Sequence, residues 1–163
     1  MKPLAVVLIL CGFSLAQDMS SCPMHDTSKH QADIETHGDA AMGFAHDKTT
    51  HHFLLLAEGG AIEVTVNDPK DTQDLDAIRM HLRHITSMFA NGDFSVPMFV
   101  HSQTPPGVAE MTYRRGDIAY KFEPLPAGGR VRITTANQDA LNAVYDFLIY
   151  QIRDHKTEDT EHP

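Results

Sequence analysis

From Thr49 onward, apolar and polar positions follow two distinct periods. His52, Leu54 and Leu56 alternate with His51, Phe53 and Leu55, and Ile62, Val64 and Val66 alternate with Glu63 and Thr65. A period of two puts successive side chains on opposite faces, so both stretches predict strands. Glu58-Gly59-Gly60 between them predicts the turn of a hairpin with one wet face. Asp68-Pro69 ends the second arm. Over Asp71 to Ala90 the period lengthens: Leu75, Ile78, Leu82, Ile85 and Phe89 recur at helical spacing. The acidic first turn suits the helix dipole, and Asn91-Gly92 suits a C-terminal stop.

The second half repeats the order. Met111 to Arg115 predicts a short strand. Ile118, Tyr120 and Phe122 alternate, Gly128-Gly129 turns, and Val131 and Ile133 alternate. Asn137 to Asp154 predicts a helix with Leu141, Val144, Leu148 and Ile152 inward. Asp93 to Gly107 carries three prolines and reads as a loop. Each Gly-Gly pair lies between a strand pair and a helix, the layout of a duplicated strand-strand-helix unit. Identity between the halves is weak, so the inferred likeness is one of architecture. The expected fold class is α+β: a two-layer sandwich, with an antiparallel sheet and two helices on one face.

The N-terminal third behaves differently. Lys2 precedes an apolar run from Leu4 to Leu10, and Ser14-Leu15-Ala16 has the small-x-small form of a signal peptidase site. Residues 1–16 therefore read as a cleavable secretory signal, which places the protein in the periplasm or outside the cell. The run is too short for a permanent membrane anchor. Cys11 raises lipidation as an alternative, but Leu10 stands where a lipoprotein signal carries a small residue. Residues 17–48 are rich in Asp, Ser, Thr and His and read as a flexible tail, with Met42-Gly43-Phe44 docking on the domain. The α+β domain is expected over 49–156, and residues 157–163 as a flexible C-terminus.

The formal net charge is −9, which argues against nucleic acid and anionic membranes as partners. Cleavage would leave Cys22 as the sole thiol, so no internal disulfide follows. The informative bias is 11 His and 8 Met against no Trp.

Cys22-Pro23-Met24-His25 places a thiolate, a thioether and an imidazole within one short segment. Soft sulfur with imidazole suits Cu(I) first and Zn(II) next. The motif resembles the Cys-Pro-Met-His core of the small heavy-metal-binding segments attached to bacterial copper and silver export proteins. That resemblance covers these four residues and implies metal capture. Ser20-Ser21 and Asp26 depart from the aromatic residue and proline that usually flank the core. His30, His37 and His46 follow at irregular spacing.

The first long helix carries a second candidate. At about 100° per residue its apolar stripe centres near Ile78 and Phe89, and His81, His84 and Met88 share one flank. Met80 points away from the core. Met98 and His101 lie in the loop that follows and can fold back over that flank. A His/Met site is therefore expected from His81, His84, Met88, Met98 and His101, joined by either His51 or His52. Those two point to opposite strand faces, so at most one enters a given site.

Lys48-Thr49-Thr50-His51-His52-Phe53, the Gly-Gly hairpin and the Met/His helix together are similar to an uncharacterised family of small exported bacterial proteins. The resemblance implies no reaction. His81-Leu82-Arg83-His84 lacks the spacing and internal Glu of a His-Glu-x-x-His zinc site. There is no Cys-x-x-Cys-His, Gly-x-Ser-x-Gly or phosphate-loop pattern. The sequence thus points to an exported metal-binding protein, for copper or else zinc, that buffers the ion or passes it to a transporter or export system. A small metalloenzyme and an interaction module with incidental histidines are the alternatives, and a homodimer through a sheet edge is compatible with the hairpins.

Overall fold

The computed structural model describes residues 23–163, with side chains from Thr27 onward. The signal sequence and Cys22 lie outside the described residues. β1 (Thr49–Leu56) pairs antiparallel with β2 (Gly59–Val66), and β3 (Ile118–Leu125) with β4 (Gly128–Thr135). β2 and β4 pair antiparallel at the centre, giving the order β1-β2-β4-β3. Two long helices, α2 (Thr72–Ala90) and α5 (Gln138–His155), cover one face. This is the α+β two-layer arrangement that the alternation predicts.

The caps explain where the long helices begin. The Asp71 carboxylate accepts a hydrogen bond from the Asp74 backbone N–H at 3.0 Å. The Asn137 side-chain oxygen accepts from the backbone N–H groups of Asp139 and Ala140. Each satisfies donors that the first helical turn leaves free. Ile78, Leu82, Ile85 and Phe89 of α2 are buried, as are Val144, Phe147, Leu148 and Ile152 of α5. Full burial of one such side chain contributes about 1.5–3 kcal/mol.

The register exposes a local twofold axis through the Ile62–Val131 pair. Gly60 faces Ile133 where Val64 faces Gly129, and Gly59 faces Thr134 where Thr65 faces Gly128. The helices follow the same symmetry, each crossing to the other unit's strands. α2 packs on β3 and β4, and α5 on β1 and β2. A Cβ on Gly60 would stand 2.2 Å from Leu148 Cδ1, and one on Gly129 would stand 3.1 Å from Leu82 Cδ1. The glycines thus allow each helix to sit close on the sheet. The outer face is wet: Arg130 of β4 lies 2.5 Å from Glu63 on β2 and 3.4 Å from Glu123 on β3.

Several segments depart from the sequence reading. The stretch read as a tail forms α1 (Pro23–Met42), which packs mainly against α3 (Ser95–His101). Pro23 is at the first helical position, where its missing N–H costs nothing. Lys29 and Asp33 pair one turn apart at 2.6 Å. Among the described side chains of α1 only Ile34 is a large apolar residue that is fully buried, so the apolar stripe is too thin to signal a helix in sequence. The expected loop over 93–107 contains α3, which buries Pro97 and Val100. Met111 is in a helix, α4 (Val108–Tyr113), rather than a strand, and packs at full burial in the core. The last residues dock instead of fraying. Asp159 accepts the Phe53 backbone N–H at 2.9 Å and meets His52 Nδ1 at 2.8 Å, and Arg153 donates twice to Glu161. Among the described residues, no helix is long and apolar enough to cross a membrane.

Candidate functional site

Four elements each deliver one histidine to the same cavity: His51 from the inner face of β1, His81 from α2, His101 from α3 and His155 from the end of α5. The cavity measures about 90 Å³, and its remaining walls are almost entirely apolar. Gly38 and Met42 of α1 close one side. They also line a larger groove of about 410 Å³ between α1, β1 and the C-terminal segment, into which His51 and His155 open as well.

Two pairs of these imidazoles are in ring contact. His51 and His155 have centroids 6.3 Å apart with planes 7° from parallel, and His101 meets His155 edge-on at 5.0 Å. Phe44 touches both His51, at 6.4 Å, and His81, at 5.8 Å. Burial pushes the His51 and His81 imidazoles down to about 4, assisted by the charges of His81 on His51 and of His84 on His81. Burial also pushes His155 down to about 3, with His101 and His51 adding to the effect and Asp154 opposing it. All three are therefore neutral at physiological pH, the form in which imidazole has a lone pair for a metal or a proton.

His101 is held differently. Its Nδ1 lies 2.5 Å from Asp154 Oδ2, and its Nε2 lies 2.9 Å from Gln151 Oε1. Asp154 also meets His30 Nε2 at 2.9 Å and accepts the Tyr150 hydroxyl at 3.2 Å. Burial raises the Asp154 carboxyl, but the hydrogen bonds from His30 and His101 outweigh it and leave it below the usual carboxylate range. Gln151 is buried, and its Nε2 has no partner among the described residues.

The residues expected at a His/Met site are divided by this arrangement. His51, His81 and His101 come together. His52 points to the other face of β1 toward Asp159, as strand alternation requires. His84 is exposed on α2, Met88 packs on the edge of the core, and Met98 is 40% exposed on α3. None of these lines the cavity. Met80 is 71% exposed, pointing away from the core. Met24 and His25 fall in the first turn of α1, where side chains are not described.

Sequence reasoning missed His155, Gln151 and Asp154. The signal was present: His155 continues the inward stripe of Leu141, Val144, Leu148 and Ile152 beyond the Asp154 boundary. Among the described residues, no group of three or more His, Cys, Asp or Glu side chains is placed closely enough to hold a metal ion without rearrangement. No protein family, curated protein or solved structure matches this chain.

Proposed function

We propose that this is an exported protein that binds a transition-metal ion, copper before zinc, through His51, His81 and His155. The observation that supports this reading is the convergence of neutral imidazoles from separate elements on one mostly apolar cavity. Buried polar groups are costly unless they are satisfied, and a fold gains nothing from clustering them without a ligand. Imidazole suits copper and zinc alike, while the Met42 thioether beside the cavity favours Cu(I). Metal–nitrogen bonds of about 2.0–2.1 Å place the centroids of two imidazoles on one ion roughly 5–6 Å apart. The His51–His155 separation of 6.3 Å is close to that, and binding would require these rings to turn toward a common point with His81.

His101 is outside the ligand set, because both of its ring nitrogens already face protein partners. It orients the neighbouring His155 instead. Capture through Cys22, Met24 and His25 belongs to the same proposal, with the ion then buffered or handed on. Competition titration of the purified chain with a Cu(I) chelator tests the reading. The wild type should hold about one tightly bound ion per cavity. A His51→Ala, His155→Ala double variant should lose it while keeping its circular dichroism spectrum. Unchanged affinity in that variant would remove the cavity from consideration.

A further inference from the structure

We infer that the larger groove, the one of about 410 Å³ between α1, β1 and the C-terminal segment, binds a short extended peptide by pairing it with the edge of β1 at His51. The inference does not depend on the metal-binding reading.

The strand register decides which backbone groups face the groove. Antiparallel strands alternate between residue pairs that exchange both hydrogen bonds and pairs that exchange none. Asn67 donates its N–H to the Lys48 carbonyl at 2.9 Å. Lys48–Asn67 is therefore a bonded pair, and by alternation so are Thr50–Thr65 and His52–Glu63. Thr49, His51 and Phe53 turn their N–H and C=O groups away from β2. Two of these three donors are taken. The Thr49 N–H meets the His46 carbonyl, and the Asp159 carboxylate accepts the Phe53 N–H at 2.9 Å. The His51 N–H between them has no partner among the described residues, and it belongs to the stretch of β1 that lines the groove. An unpaired strand edge is a template for another extended chain.

The opposite edge of the sheet is built differently. Under the local twofold, His51 corresponds to Tyr120 and Leu55 to Pro124. Pro124 holds an outward position of β3 and brings no N–H, which blunts that edge against pairing. β1 contains no proline.

The groove also defines its guest. A residue placed antiparallel to His51 exchanges two hydrogen bonds with it, and its side chain lies on the same side of the sheet as the His51 ring. Met42, which lines both the groove and the histidine cavity, stands on that side, and Ile34 extends the apolar wall. The central guest residue is therefore apolar. Its neighbours point the other way, beside Thr50 and His52, and are polar. β1 lines the groove over Thr49–His52, which a guest of about three or four residues spans at roughly 3.3 Å each. Glu35 and Glu158 outnumber Lys156 along the walls, although Glu35 also lies 3.7 Å from His46, so basic flanking residues suit the groove best. The same charges disfavour a second copy of this chain as the guest, since its net charge is −9.

The test is an amide NMR titration of the metal-free full chain with the peptide acetyl-Lys-Val-Lys-amide. Saturable shifts centred on His51 and α1 are expected, with the His51 amide proton moving downfield as it gains an acceptor. The same peptide with N-methylvaline lacks the N–H that the His51 carbonyl accepts. It should bind about 3- to 10-fold more weakly, the worth of one backbone hydrogen bond. That comparison alters the peptide and not the protein, so folding does not enter. Acetyl-Glu-Val-Glu-amide should also bind more weakly than the lysine peptide. Absence of saturable shifts, equal affinity for the methylated peptide, or shifts centred on β3 overturns the inference. His51 shifts that follow protein concentration without any peptide overturn it too, since the guest would then be a second copy.

Discussion

His155 and Phe89 occupy equivalent positions in the two halves of the fold, yet His155 faces His51 across a cavity while Phe89 is packed against Tyr120. The architecture tolerates either solution. What the first half gives up in packing it gains as a set of neutral imidazoles.

Copying the packed half into the open half should separate stability from binding. The double variant His51→Tyr, His155→Phe replaces both imidazoles with their counterparts. Filling a void of this size is worth about 2 kcal/mol at roughly 24 cal/mol per Å³, if the rings fit without strain. Thermal unfolding of the metal-free variant should therefore occur several degrees higher than in the wild type, and Cu(I) affinity should fall at least ~100-fold. A variant that is less stable and still binds copper contradicts the assignment.

Acid should unfold the metal-free protein through these same residues. His51 and His81 fall to about 4 and His155 to about 3 in the folded state, against a reference near 6.5. The unfolded chain therefore binds more protons throughout that window. Stability contributed by the neutral imidazoles is complete above about pH 6.5 and is lost progressively as pH falls toward 3. Besides burial, His46 and His52 lower His51, His84 lowers His81 and His101 lowers His155, while Asp154 opposes the fall at His155. Urea unfolding at a series of pH values should show this decline in the wild type and a flatter profile in the His51→Tyr, His155→Phe variant. Equal slopes would mean that other groups control acid unfolding.

Much of this architecture was legible from side-chain periodicity alone. Ile62-Val64-Val66 and Ile78-Leu82-Ile85 give their elements away because large residues repeat on one face. The hairpin turns follow from the Gly-Gly pairs. Helix α1 was not legible, because its buried stripe consists of Ile34 followed by Gly38, and small residues carry little hydrophobic signal. The site was half legible for a related reason. His81 could be placed by helical angle, and His51 by strand alternation. His155 could not be connected with them, because the crossing of α5 onto β1 is a property of the pseudo-twofold packing and not of either segment. Met88 and His84 share a flank with His81, but that flank is wide enough to run from cavity to solvent.

Gly38 offers a test of α1 as a cover over the cavity. It is a helix-interior glycine that is not sterically required: a Cβ there would meet only Met42 Cε, at 3.5 Å. Gly38→Ala should stabilise α1 by up to about 1 kcal/mol. Hydrogen exchange of the α1 amides should slow several-fold. If the ion enters past this helix, Cu(I) uptake should slow as well, with equilibrium affinity changed much less. Stopped-flow uptake at the wild-type rate in a variant with slowed exchange would place the entry route elsewhere.

The Asp154 carboxylate holds three partners at once, and its loss should be felt across the site. His30 ties α1 to it, His101 ties α3 to it, and Tyr150 donates from its own helix. Asp154→Ala removes the charge beside a histidine whose ring is almost wholly buried. Breaking such a buried pair typically costs about 3–5 kcal/mol where the partner remains charged, and less where it is neutral. Asp154→Asn keeps the shape and one acceptor, so its cost should be smaller. The two variants also bear on metal binding. His155 stands edge-on to His101 at 5.0 Å, so a His101 freed from Asp154 lets the ligand ring turn. Both variants should bind Cu(I) more weakly than the wild type, Asp154→Ala the more so, with stoichiometry unchanged because neither removes a ligand. If Asp154→Ala destabilises the fold but leaves Cu(I) affinity intact, then Asp154 anchors helices and has no part in orienting the imidazoles.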